Sequence, residues 1–189
     1  METLLGYVFW HWPLPSASTA SYEAKLRSFQ RALTSDRPTG LVEALSYRMD
    51  RLPWEKKRRR GYEDWYLVED FSSLGVINQA AVANGAAVPH DSIAKWAAGG
   101  TGGLYRRIGG ELPLPRTRFV VWFQKPEGFT YRSLQRLIDK SVSRYQVDVW
   151  QRQMTLGPAP EFCIHSEEKL RFPADFHAIF VGQKMISHG

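Results

Sequence analysis

Cysteine is almost absent. Cys163 is the only one in 189 residues, so no disulfide can form within the chain. That usage fits a reducing compartment, and a cytoplasmic location is the expectation. Long apolar runs are missing too. None approaches the roughly 20 residues needed to span a bilayer as a helix, so no membrane role is expected. Leu4–Leu14 is apolar, but Glu2 precedes it without any Lys or Arg, which argues against a secretory leader. Catalytic signatures are also lacking. There is no Gly-x-Ser-x-Gly elbow, and Gly99-Gly100-Thr101-Gly102-Gly103 fits neither a Walker loop nor a dinucleotide fingerprint. No histidine pair has a metal-ligand spacing, so no metal is expected. The adjacent carboxylates Glu69-Asp70 and Glu167-Glu168 would point apart on a strand or helix. Evenly spread charge is the last absence. Of the net +6, Lys56, Lys57, Arg58, Arg59 and Arg60 supply five, so the excess reports one basic segment and not a basic face.

What the chain does have is hydrophobic and aromatic residues, at 43% and 13%, enough to build a core. It also has a repeat. Residues 27–53 and 132–158 align without a gap at an offset of 105, with Arg27-Ser28-Phe29-Gln30-Arg31 over Arg132-Ser133-Leu134-Gln135-Arg136. Val42, Glu43, Met49 and Pro53 then fall over Val147, Asp148, Met154 and Pro158. Trp12-Pro13 and Lys125-Pro126 each close a short aromatic strand upstream.

Local patterning gives the element order. Tyr7–Trp12 is β-branched and aromatic and reads as a strand. Tyr22, Leu26, Phe29 and Leu33 recur at helical spacing after Ser21, a plausible N-cap. Leu41–Met49 and Tyr62–Val68 read as a strand hairpin around a basic loop, and Leu74–Val82 as a short helix capped by Ser72. Pro89 starts another helix running to Ala98, Gly99–Gly103 reads as a flexible connector, and Leu104–Ile108 as a strand. The second half begins alike: strand Phe119–Phe123, helix Tyr131–Val142, strand Val147–Met154. Strands follow at Phe162–His165 and His177–Met185, with the intervening helix missing or reduced to Glu167–Phe176.

The expected fold is therefore α+β. It consists of two ferredoxin-like β-α-β-β-α-β units, at 1–110 and 116–189, the second degenerate, with antiparallel sheets facing each other. Each such sheet carries its helices on one face and leaves the other bare. The second unit is one cover for that face, and a second chain, giving a homodimer, is the alternative. Paired ferredoxin-like units with aromatic-rich strands resemble the dimeric α/β-barrel superfamily. The resemblance implies a site between sheet and helices or within the barrel. It also implies activities ranging over small oxygenases, isomerases, and haem-binding peroxidases and dismutases.

Candidate site residues follow from this frame. Strand alternation puts Tyr7, Phe9 and His11 on one face and Val8, Trp10 and Trp12 on the other. If the bare face lines a cavity, His11 is the polar group among aromatics, able to act as base, donor or ligand. Trp65 is a second candidate for the lining, and Arg152 a third, because the repeat sets it against Tyr47. His90, beside Asp91 at a helix start, faces a ligand or simply caps. His165 and His177 flank the reduced helix. The cofactor is not determined. Haem is compatible, since one axial histidine needs no spacing. The ligand expected is a hydrophobic small molecule, neutral or anionic, and the protein either binds it or acts on it as an oxygenase-like or isomerase-like enzyme. Nucleic-acid binding through Lys56–Arg60 between Trp54 and Tyr62 is the alternative, weakened by the nearby Glu63, Asp64, Glu69 and Asp70. A noncatalytic, partner-binding protein with a filled core is the third reading.

Overall fold

Eight strands and four α-helices alternate along the chain in the computed structural model, which describes residues 4–55, 60–111, 113–155 and 158–189. The order is β1 (Leu5–Pro13), α1 (Thr19–Ser35), β2 (Leu41–Met49), β3 (Gly61–Val68), α2 (Phe71–Ala81), α3 (Ala87–Ala94) and β4 (Ala97–Gly110). Then come β5 (Phe119–Phe123), α4 (Tyr131–Val142), β6 (Val147–Thr155), β7 (Phe162–Ser166) and β8 (Ile179–His188). All neighbouring strands are antiparallel, and they close into one barrel in the order β1-β3-β2-β8-β5-β7-β6-β4. The first four strands run β4-β1-β3-β2 and the last four β8-β5-β7-β6, so each half has the same internal order. The expected pair of facing sheets is thus corrected to a single closed sheet. Pairing of β2 with β8 and of β4 with β6 joins the edges that two separate sheets would leave open. One chain covers its own sheet, and the barrel needs no second copy to close.

Alternation along each strand sorts the side chains. Val8 and Trp10 of β1, Trp65 of β3, Tyr105 of β4, Trp122 of β5 and Trp150 of β6 turn inward and pack together, all fully buried. Trp10 meets Trp122 edge-on at 5.5 Å, and Trp65 lies 4.9 Å from Trp150. Such large rings fill the barrel and leave its axis a packed core. Within it lies the carboxyl of Glu63, clasped by the indole N–H groups of Trp10 and Trp65, each donating at 2.7 Å. Burial pushes the Glu63 carboxyl up to about 7 despite those two donors.

The helices cover the outer face. In α1 the helical stripe Tyr22, Leu26, Phe29 and Leu33 is buried against the sheet, each side chain contributing roughly 1.5–3 kcal/mol by its removal from water. Ser18, not Ser21, caps this helix, its hydroxyl accepting from Ser21 N at 3.1 Å. Asp70, not Ser72, caps α2, accepting from Ser73 N at 2.9 Å. Over the second half α4 buries Leu134, Ile138 and Val142, and the reduced helix survives only as a single 3-10 turn at Ala174–Phe176. No helix among the described residues is long and apolar enough to cross a membrane.

Two further readings are corrected. The helix expected from Pro89 starts earlier, at Ala87, and ends at Ala94. The glycine run is not a connector but the first part of strand β4, paired with β1 from Gly99 onward. Its lack of side chains is a packing device. A Cβ on Gly100 would sit 2.4 Å from Phe9 Cζ, and one on Gly99 2.7 Å from the Trp12 ring. The β1 rings lie flat across β4 where its side chains would otherwise stand.

Candidate functional site

Between the sheet and the helices of the first half lies a cavity of about 630 Å³. Its floor is the outer face of β1, β3 and β4, carrying Tyr7, Phe9, Tyr66 and Gly102, and its roof comes from α1, α2 and α3. Leu26, Phe29, Leu74, Ile77 and Ile93 make the roof apolar. Phe71 and Met154 line it too and are both 61% exposed, which marks its open end. A largely apolar hollow with a few convergent polar groups is the usual form of a small-molecule site.

The polar groups gather on adjacent strands. In the β1–β3 register His11 stands opposite Tyr62, Phe9 opposite Asp64, and Tyr7 opposite Tyr66, all on the outer face. Because β3 is buried on both faces, its consecutive acids are divided, Glu63 into the barrel and Asp64 under the helices. Asp64 is 3% exposed and His11 likewise 3%. His11 Nε2 lies 3.2 Å from Asp64 Oδ2, within ion-pair reach but off the line of a hydrogen bond. His11 Nδ1 is 2.6 Å from the Tyr22 hydroxyl. Burial, then the Asp64 charge, pushes the Tyr22 phenol well above its ordinary value, so this hydroxyl keeps its proton. If it donates to Nδ1, the imidazole proton sits on Nε2 and faces Asp64. The His11 ring is held between Phe9 and Tyr62, stacked at 5.4 and 5.5 Å. The Tyr66 hydroxyl reaches Asp64 Oδ2 at 3.4 Å and accepts from Gln30 Nε2 at 3.1 Å. Asp64 Oδ1 has no hydrogen-bond partner among the described residues.

Of the sequence candidates, His11 and His90 both line this cavity. The face of β1 that carries His11 is the helix-covered one, however, and the face left bare by the helices is the packed barrel interior. His90 sits within α3, edge-on to Phe29 at 5.6 Å and with Nδ1 3.3 Å from Asp91 Oδ1. Trp65 and His165 lie elsewhere, inside the barrel and 4.9 Å apart. Burial drives the His165 imidazole down to about 3, so it is neutral there. Arg152 is at the end of the barrel, donating to the Ala159 carbonyl at 3.0 Å. In the alternative basic segment, Lys56, Lys57, Arg58 and Arg59 lie outside the described residues. Arg60 donates to Thr19 Oγ1 at 3.3 Å.

Asp64, Tyr22 and Tyr66 were not among the sequence candidates. The signal for Asp64 was the strand Gly61–Val68 itself: when both faces are buried, neighbouring acids must be buried one to each side.

The residues present do not fit a haem. His11 is faced on both ring nitrogens by Tyr22 and Asp64. No Lys or Arg among the described residues lines the cavity to meet propionates, and the carboxylate that does line it would repel them. Among the described residues no group of three or more His, Cys, Asp or Glu is placed to hold a metal ion.

No protein-family model matches this sequence, and no curated protein matches it at a significant level. Solved structures do match. A candidate monooxygenase from Fusobacterium nucleatum is 8% identical with a TM-score of 0.62, covering 98% of this chain and 93% of that one. A second candidate monooxygenase, from Lactobacillus acidophilus, is 5% identical with a TM-score of 0.61, covering 99% and 96%. An anthrone oxidase-like protein is 10% identical with a TM-score of 0.57, covering 100% and 93%. At such identities the likeness is one of fold, and it extends over essentially the whole length of this chain.

Proposed function

We propose that the protein binds a hydrophobic small molecule in the cavity beneath α1, α2 and α3 and acts on it as a cofactor-independent enzyme. The observation that carries this reading is the buried His11–Asp64 pair, 3.2 Å apart, set in a largely apolar hollow. A carboxylate against an imidazole can take a proton from an acidic O–H or C–H of a bound molecule. That step is common to oxygenase-like and isomerase-like chemistry. Asp64 is the accepting group in this reading. His11 and Tyr22 orient it and stabilise its charge, while the apolar roof excludes water and strengthens both effects. The names of the structural neighbours, candidate monooxygenases and an anthrone oxidase-like protein, support an enzyme over a purely structural role. So does the cavity, because a filled space under the helices is found in the second half and not the first. The shared strand order of the halves supports reading 1–110 and 116–189 as two copies of one unit.

The test is a native mass spectrum of the purified protein beside the His11→Ala variant. An organic adduct on the wild type, absent from the variant while its circular dichroism is unchanged, supports the site. Equal binding by both removes His11 from it.

A further inference from the structure

The proposed site also discriminates by charge, and the lining says in which direction. Among the described residues its titratable members are Asp64, His11, His90 and the tyrosines Tyr7, Tyr22 and Tyr66, with no Lys or Arg. The Asp64 charge already raises all three of those phenols, after burial itself. A carboxylate or phosphate brought into this hollow would leave water to face a like charge with no cation to offset it. The anionic ligand that the sequence allowed is therefore disfavoured.

The unmet hydrogen-bonding capacity points to what is favoured. Asp64 Oδ2 is approached by His11 Nε2 at 3.2 Å and by the Tyr66 hydroxyl at 3.4 Å. Asp64 Oδ1 has no partner among the described residues, although Asp64 lines the cavity. A buried carboxylate oxygen without a donor is costly, and a ligand that brings one donor relieves that cost. The demand is for a single donor. An ammonium carries three N–H groups and needs acceptors beyond this one oxygen, which Phe9 and the aliphatic roof do not supply. A hydroxyl carries one. Apart from Asn78 and His90, the rest of the lining is chiefly aromatic and aliphatic, matched to flat ring systems.

Resting on the reading of this cavity as the ligand site, we infer that it selects an uncharged, ring-bearing molecule whose polar end is a hydroxyl of the phenol or enol type, donated to Asp64 Oδ1. Asp64 is then both the specificity-determining residue and the group positioned to receive the hydroxyl proton. The proton passes from ligand oxygen to carboxylate oxygen, leaving the bonding pair on the ligand as an oxyanion.

Calorimetric titration of the intact protein with four phenanthrenes that differ only in one substituent tests this. The substituents are hydroxyl, methoxyl, aminomethyl and carboxylate. The hydroxyl compound is expected to bind at least tenfold tighter than the methoxyl and aminomethyl compounds, and a hundredfold tighter than the carboxylate. In Asp64→Asn the hydroxyl and methoxyl compounds should converge to within about threefold, and the carboxylate should gain. Binding of all four with similar affinity overturns the inference and leaves the cavity assignment standing. Tightest binding by the carboxylate or the aminomethyl compound overturns it as well. Failure of all four to bind overturns the cavity assignment itself. The wild-type comparison decides these cases even if Asp64→Asn folds poorly.

Discussion

The two halves share a strand order and differ in what lies under their helices. In the first half three helices arch over β1, β3 and β4 and leave a hollow lined in part by a carboxylate and an imidazole. In the second, α4 is the only α-helix among the described residues, and phenylalanines occupy the corresponding space. Phe123 stacks on Phe162 at 5.3 Å, meets Phe172 at 5.3 Å, and packs edge-on to Phe176, also at 5.3 Å. Where β1 presents Phe9 and His11 outward, β5 presents Val121 and Phe123. A sheet face of this kind can become a site or a core. The choice rests on whether the chain spends residues on a helical roof or on rings that fill the gap.

That contrast can be broken first at its filled side. Phe123→Ala should remove the centre of the phenylalanine cluster and cost roughly 3–5 kcal/mol, read as a fall in thermal midpoint, while ligand binding in the first half is unchanged. If binding is lost as well, the two spaces are not independent.

A pH comparison comes next and concerns the barrel that both halves share. The fold raises the Glu63 carboxyl from 4.5 to about 7, so the folded state holds a proton that the unfolded chain releases above pH 4.5. Stability from this group is full below 4.5 and is lost as pH rises through 7, a change of about 3 kcal/mol. Asp148, raised by burial from 3.8 to about 6, acts in the same direction. His165, lowered to about 3, acts oppositely and loses its contribution as pH falls below 6.5. Denaturant midpoints of the wild type and Glu63→Gln from pH 4.5 to 8 isolate the first group. The lost indole pairing gives the variant a constant offset, and the difference between the two curves should slope by the Glu63 amount. Parallel curves would show that Glu63 does not titrate in this window.

The open side can be closed in turn. Ala81→Trp places a ring in the roof of the cavity and should weaken ligand binding by about tenfold or more with little change in thermal midpoint, because it fills space rather than creating it. The smallest expected effect is on a helix cap. Thr130 accepts from Ser133 N at 3.1 Å at the start of α4, and Thr130→Ala should cost about 1 kcal/mol in a urea melt. Since no second helix shares the load there, the loss should appear undiminished in global stability.

Much of this contrast was legible in the sequence. The stripe Tyr22, Leu26, Phe29 and Leu33 located α1, and the stretch Glu167–Phe176 read as the place where the second half's helix is missing or reduced, which the single 3-10 turn there bears out. Alternation put Tyr7, Phe9 and His11 on one face of β1. It could not say which face the helices would cover, because that depends on contacts far apart in sequence, and so Trp65 and His165 were sought in a cavity and found in a core. The glycine run misled for a related reason. Glycines read as a flexible link by local preference, and only the rings of the neighbouring strand turn them into a well-paired strand. Asp64 escaped because a lone Asp beside Glu63 looks like a solvated pair until the burial of both faces of β3 is known.

The closure of the barrel also sets an order on synthesis. Strand β8 pairs with β2, and Ala44 and Gly189 exchange backbone hydrogen bonds at 3.0 Å in both directions. Strand β6 likewise pairs with β4. On the ribosome the first four strands therefore emerge with two unpaired edges and wait for the last four. Ring closure is a late, long-range event, which predicts slow folding for a chain of this size and makes the half-made protein a natural client for chaperones.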